Sequence, residues 1–347
     1  MGQSFSIEDV PDMNDKVCII TGANTGVELT SASNGDLIIF FLLAIVNSSQ
    51  PGKECATVLA KKGAHVFLAC RTASKTNSVI AEIKSMTGND KVEFLELDLL
   101  SLTSVASCAE TFKARKLPLH LLLNNAGVMA CPFSLSADGL ESQFATNHVG
   151  HFLLTTQLLP ILEASAPSRI VEVSSSGHNI NCGGLGLEDL NDPNKYNAWF
   201  AYGRSKLANI LFVRELAKRL EAKGVKNVYV NANHPGAVGT DLHRHAEATV
   251  LKFVADFFTK VVHVSPEVGA LPQMYLATSP EVEEKDIRGQ YYVSRGDFIL
   301  AFFKNVPSAK PGRTSCAARD DKLAQELWEW TVNTLKEKVP GYSGPTI

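Results

Sequence analysis

Thr21-Gly22-Ala23-Asn24-Thr25-Gly26 follows directly on a short aliphatic run at 16–21, and this stretch decides the fold. Its small residues let backbone N–H groups approach a phosphate near the positive end of the next helix. A glycine-rich turn alone occurs in many folds. Here it closes a strand near the N-terminus and precedes, after an interruption, a helical run at 52–62 and a second strand at 64–70. That context predicts a dinucleotide site.

Further apolar runs at 91–97, 119–123, 169–174, 228–233 and 290–293 alternate with longer amphipathic stretches, including helices over 197–223 and 320–336. The alternation predicts an α/β fold, a doubly wound, mainly parallel sheet with helices on both faces. With 347 residues, 45% of them hydrophobic, and no repeat or low-complexity linker, one domain over 1–347 is expected. A net charge of −3 without a basic stripe argues against a nucleic-acid partner. Seven cysteines lacking a Cys-x-x-Cys pair suggest reduced thiols in a cytoplasmic protein, and no metal site is indicated. Met1-Gly2-Gln3-Ser4-Phe5-Ser6 fits N-myristoylation at Gly2, although Glu8 and Asp9 supply no polybasic second anchor. Acylation would then give only weak, peripheral membrane contact.

Arg71 follows the second strand, where an acidic residue would receive the ribose hydroxyls of NAD and an arginine suits the 2′-phosphate of NADP. NADP(H) is therefore expected in preference to NAD(H). Asp98, ending the third strand, is placed to accept from an adenine amino group or to cap the following helix. Asn124-Asn125-Ala126-Gly127 ends the fourth strand, where small residues and amides can line a cofactor. Tyr202 and Lys206, one turn apart on a helix, are a pair in which the ammonium can act on the phenol. A free phenol titrates near ~10 and needs such a cation to shuttle protons at neutral pH. His148 and His151 stand three apart without a matching carboxylate motif and read as helix-packing or capping residues.

Thr-Gly-x-x-x-Gly at 21–26, Asn-Asn-Ala-Gly at 124–127, Asn147 before His148 and Gly150, serines 174–176, Tyr202 with Lys206, and Pro235-Gly236 occur in one order over about 16–245. In this the chain resembles the short-chain dehydrogenase/reductase family. Asn147-His148-Val149-Gly150-His151-Phe152 and His234-Pro235-Gly236 look most like the branch of retinol dehydrogenases, WW-domain oxidoreductases and related plant proteins. The resemblance implies a Rossmann fold and hydride transfer between NADP(H) and a carbonyl or alcohol. It implies that Tyr202 exchanges the proton, Lys206 assists it and holds the nicotinamide ribose, Ser175 (with Ser174 as fallback) bonds the reacting oxygen, and Asn147 holds a water. It also implies that Thr21, Gly22, Asn24, Thr25, Gly26, Asn125, Ala126 and Gly127 cradle the cofactor, that Pro235, Gly236 and Thr240 meet the nicotinamide, and that a homodimer forms.

One interval departs from the pattern. Where a third glycine should open the helix stands Glu28, and joining Val27 to Gly52 would restore the motif, so 28–51 is an insertion. A retained intron and a genuine isoform both account for it. Its ten-residue apolar run at 37–46 is too short for a bilayer, which takes roughly 20 helical residues. A disrupted turn opens an alternative, a catalytically inactive Rossmann-fold interaction protein. Downstream, 238–265 reads as a substrate lid, with Phe253, Phe257 and Phe258 on an apolar helix. The expected substrate is thus a small apolar carbonyl or alcohol of retinoid, steroid or lipid origin. A second aromatic-rich interval at 294–305 would sit near the mouth of the site.

Overall fold

Each expected strand forms. β1 (Val17–Thr21), β2 (His65–Cys70), β3 (Val92–Glu96), β4 (Leu121–Asn124), β5 (Ser168–Val173), β6 (Val228–His234) and β7 (Tyr291–Val293) lie parallel, and β8 (Lys310–Pro311) is added antiparallel at the edge. The computed structural model describes residues 5–24, 50–181, 183–236, 266–294 and 309–347. Thr25, Gly26, Thr240, Gly2, the lid interval, residues 28–49 of the insertion and the aromatic run at 295–305 lie outside them.

Strand order is β3-β2-β1-β4-β5-β6-β7-β8. The chain therefore reverses its direction of progress between β1 and β4, and in such sheets the crevice beyond the strand ends at that point receives ligands. Alternation along β1 divides the core: Ile19 faces a cluster with Leu122, Phe152 and Leu211, while Cys18 and Ile20 face one with Leu59, Leu68 and Met274. The first cluster is covered by α3 (Leu102–Ala114), α4 (Gly150–Ala164), α5 (Ala198–Ala222) and α7 (Asp321–Lys338). The second is covered by α1 (Gln50–Lys61), α2 (Ala73–Thr87) and α6 (Pro266–Thr278).

Two differences from expectation concern the start of α1 and the edge of the sheet. α1 takes in Gln50 and Pro51, the last two residues of the 28–51 insertion, because a proline without N–H fits a helix's first turn. β8 was not foreseen; two residues carry no periodicity, and its proline is tolerated because an edge strand leaves one side unpaired. Among the described residues no helix is long and apolar enough to cross a membrane.

Candidate active site

α5 is fixed at its start by Asn197, whose side chain accepts from the N–H groups of Trp199 and Phe200. One turn further in, Gly203 lets the helix press against the turn Ser176–Asn181. A Cβ at Gly203 would lie 2.5 Å from Asn181 Oδ1 and 2.8 Å from the Gly177 carbonyl oxygen. This contact sets Tyr202 and Lys206, each only 1% exposed, against the end of β5. Lys206 Nζ donates to the Val173 carbonyl at 2.9 Å and stands 5.8 Å from the Tyr202 ring centroid.

The adjacent serines divide their tasks. Ser174 Oγ donates to the Lys206 carbonyl at 2.6 Å and so ties β5 to α5. Ser175 Oγ instead accepts from Gly177 N–H at 3.1 Å. A Cβ on Gly177 would be 3.0 Å from Tyr202 Cε1 and 3.4 Å from Ser175 Oγ, so Ser175 and the Tyr202 ring flank the same glycine. Asn147 lies in a π-helical turn, Ala145–Val149, ahead of α4; such turns gather at functional sites. Its Oδ1 accepts from Val128 N–H at 2.8 Å, and its Nδ2 donates to the Val128 carbonyl and to Ser205 Oγ. Ser205 in turn donates to the Tyr202 carbonyl at 2.7 Å.

Beside this group opens a cavity of about 460 Å³ at the carboxyl ends of the strands. Gly22 and Asn24 after β1, Arg71 after β2 and Asp98 after β3 contribute to its wall. Asn125, Ala126 and Gly127 after β4, Pro235 after β6 and the Lys206 side chain complete it. Gly127 is pinned between Asn147 and Lys206: a Cβ there would meet Asn147 Oδ1 at 3.2 Å and Lys206 Nζ at 3.3 Å. Gly236 has φ +89°, a conformation glycine tolerates without strain. Beneath the site, burial pulls the Lys206 ammonium well below its ordinary value and pushes the Glu172 carboxyl up, while each charge partly offsets the effect on the other.

The short-chain dehydrogenase family model matches residues 48–187. Human retinol dehydrogenase 12 is 39% identical over 320 residues, covering 92% of this chain and 86% of that protein. The chloroplastic short-chain dehydrogenase TIC 32 A of Brassica napus is 37% identical over 350 residues, covering 98% and 95%. The chain is a short-chain dehydrogenase/reductase. Within the family it falls in the retinol dehydrogenase-like branch, and the zebrafish (Danio rerio) WW domain-containing oxidoreductase is 38% identical over 94% of this chain and 70% of its own length. Among solved structures, an uncharacterized protein of Mycobacterium paratuberculosis superposes with TM-score 0.68 at 31% identity, over 96% of this chain and 98% of that one. A short-chain dehydrogenase of Escherichia coli CFT073 crystallised with NADPH shares the fold at TM-score 0.55 and 21% identity, covering 81% and 97%.

The short-chain dehydrogenase/reductases are a family of oxidoreductases that bind a nicotinamide cofactor. This chain's site gathers most of the residues singled out in the sequence, with two changes of position. Thr21 is fully buried and does not line the cavity; its hydroxyl accepts from Asn125 and Ala126 N–H, both at 2.9 Å, so it clamps the wall from behind. Asp98 does not cap α3, because Ser101 does so, accepting from Ser104 N–H; Asp98 Oδ1 accepts from Leu100 N–H instead. Both histidines are buried, as read: His148 packs among Phe144, Phe152 and Phe212, and His151 reaches Thr21. Sequence reasoning missed Lys75, which lines the cavity with Arg71 from the first turn of α2. It also missed Glu172, whose signal was a carboxylate set between Ile170-Val171 and Val173 in a buried strand.

Proposed function

We propose that this short-chain dehydrogenase/reductase uses NADP(H) to move a hydride between nicotinamide and an apolar carbonyl or alcohol, a retinoid, steroid or lipid-derived compound. One observation carries the reading. The buried Lys206 ammonium faces the Tyr202 ring and the wall of the strand-end cavity together.

The residues present suit the cofactor. Glycine at 127 leaves Lys206 Nζ open to the wall, and Val173 takes only one of the three ammonium protons among the described contacts. Arg71 and Lys75 put two cations on one wall, which matches an added phosphate better than free ribose hydroxyls. When bound, NADP(H) supplies or takes up the hydride.

The chain's own groups handle the proton. Tyr202 gives it to, or takes it from, the substrate oxygen, and the nearby Lys206 charge favours the phenolate that this exchange leaves. Ser175 accepts from Gly177, so its own O–H is left to donate to the reacting oxygen. Asn147, across Gly127 from Lys206, holds the water that connects the ammonium to solvent. The apolar substrate class draws on the relatives named retinol dehydrogenases, on Val128 and Phe133 in the cavity wall, and on the sequence of 250–264.

The test is Tyr202→Phe, followed by NADPH oxidation with an apolar aldehyde and by NADPH fluorescence titration. Turnover is expected to fall by about 10²–10⁴-fold, the usual worth of a positioned acid/base, with the cofactor dissociation constant held. Undiminished turnover removes Tyr202 from the mechanism. Reduction of small polar sugars alone, with apolar aldehydes ignored, refutes the substrate class.

A further inference from the structure

Thr21 Oγ1 accepts from two backbone amides and also lies 2.9 Å from His151 Nε2. A hydroxyl has one proton and two acceptor positions. Asn125 and Ala126 fill both positions, so the Thr21 proton goes to His151 and Nε2 is an acceptor. The ring proton is then on Nδ1, which donates to the Asn147 carbonyl oxygen at 3.2 Å. Nδ1 also stands 3.7 Å from Glu172 Oε1, and Glu172 Oε2 accepts from Asn124 Nδ2 at 2.8 Å. Burial keeps the ring neutral, its pKa pushed down to about 3. Among the described residues, the ionisable groups acting on the ring are Glu172 on β5, Lys206 on α5 and His148 one turn earlier. A single histidine in a single tautomer thereby joins the end of β1, the loop after β4 and the turn that carries Asn147.

We propose that His151 is a positioning residue whose Nδ1–H tautomer fixes the Asn125–Ala126 wall and the Asn147 carbonyl relative to each other. Its functional consequence rests on the oxidoreductase reading above. Without the acceptor at Nε2 the Thr21 clamp loosens, and the cavity wall at Asn125–Ala126 is no longer held. Without the donor at Nδ1 the Asn147 turn loses a restraint, and that turn reaches α5 through Ser205 and the Tyr202 carbonyl.

Two substitutions separate these effects. His151→Asn places an amide N–H near the Nδ1 position and leaves Thr21 without its acceptor. His151→Gln extends a carbonyl toward the Nε2 position and leaves Asn147 without its donor. The expected result is that His151→Asn weakens NADPH binding about tenfold in fluorescence titration, whereas His151→Gln lowers kcat about tenfold at nearly constant NADPH affinity, as the loss of one buried hydrogen bond would. Two-bond ¹⁵N–¹H spectra of the wild-type chain without cofactor, labelled at histidine, are expected to show Nδ1–H for His151 unchanged from pH 8 to 5.5. This measurement stands even where a variant fails to fold. An Nε2–H pattern, or titration within that range, overturns the assignment. Variants that lower Tm while matching the wild type in NADPH affinity and kcat overturn the positioning role and leave the oxidoreductase reading intact. A wild-type chain that binds neither NADPH nor NADH overturns both.

Discussion

Replacing Gly203 with alanine tests whether the contact between α5 and the turn after β5 places Tyr202 against Ser175. Alanine is the better helix former by about 1 kcal/mol, so propensity alone predicts stabilisation. Packing opposes it. The new Cβ would come within 2.8 Å of the Gly177 carbonyl oxygen, a backbone atom that cannot rotate away. Even weak C–H···O contacts sit at ~3.3–3.6 Å, so the turn must move by about 0.5–0.8 Å. Overpacking of this kind costs about 1–3 kcal/mol, which leaves a net loss of about 0–2 kcal/mol. At ~2.1 cal/mol/K per residue, the unfolding entropy of a chain this long is about 0.7 kcal/mol/K, so Tm falls by up to about 3 °C. The catalytic effect is larger in relative terms. The moving turn begins immediately after Ser175, and since a 1 Å misplacement costs ~10²-fold, about half that distance should lower kcat/KM by about tenfold. Gly183→Ala is the control, because among the described residues no atom beyond its chain neighbours lies within 4 Å of its added Cβ and neither quantity should change appreciably. A Gly203→Ala chain with the Tm and kcat/KM of the wild type would refute the reasoning.

Two further outcomes follow from charge. Arg71→Ala should weaken NADPH binding by at least about tenfold while changing NADH binding little, since only the 2′-phosphate calls for the guanidinium; equal losses in the two titrations count against NADP(H) preference. Burial raises the Glu172 carboxyl to about 8, whereas an unfolded Glu titrates near ~4.3, so across that window the folded chain holds a proton the unfolded chain lacks and stability falls as pH rises. Glu172→Gln mimics the protonated acid and removes this slope, so its Tm should match the wild type near pH 5 and exceed it increasingly toward pH 8; a pH-independent difference refutes the assignment.

The sheet was legible because β1, β2 and β4 are short, largely apolar runs bounded by turn residues, and buried parallel strands demand that pattern. The cofactor-side residues were legible for a related reason: the ends of successive parallel strands share one edge, so Gly22, Arg71, Asp98 and Asn125 converge whatever the side-chain details. What sequence left open depends on direction. Three adjacent serines look alike in one dimension, and only the structure turns Ser174 toward the Lys206 carbonyl and sets Ser175 beside Tyr202. Asp98 and Ser101 are both acceptable caps by type, and the path of the chain between them awards the cap to Ser101. His151 was read as packing, which it is, yet its bond to Thr21 crosses 130 residues of sequence and has no local signature.

The flanks of the interruption bear on whether this chain works as an enzyme. A Cβ on Gly22 would strike Ala126 Cβ at 2.7 Å, and one on Gly52 would strike Asn125 Nδ2. Both glycines therefore pack on the same dipeptide, and α1 starts beside the cavity, whose wall includes Pro51. With Val27 joined to Gly52, 5 residues would separate Gly22 from Gly52, against 29 in this chain. Closing a loop of n residues costs about (3/2)RT ln n, so that lengthening is worth only about 1.5 kcal/mol. At about 0.7 kcal/mol/K this is roughly 2 °C in Tm, too little to unfold the sheet. Affinity is the sharper measure, because amide donors aimed at a phosphate lose their effect with small displacements. Deleting 28–51 should therefore raise Tm by about 2 °C and leave NADPH affinity close to that of the full chain. Tight binding confined to the shortened chain would mean that the interruption disables the phosphate turn despite the anchored flanks, and that hydride transfer belongs to the uninterrupted form.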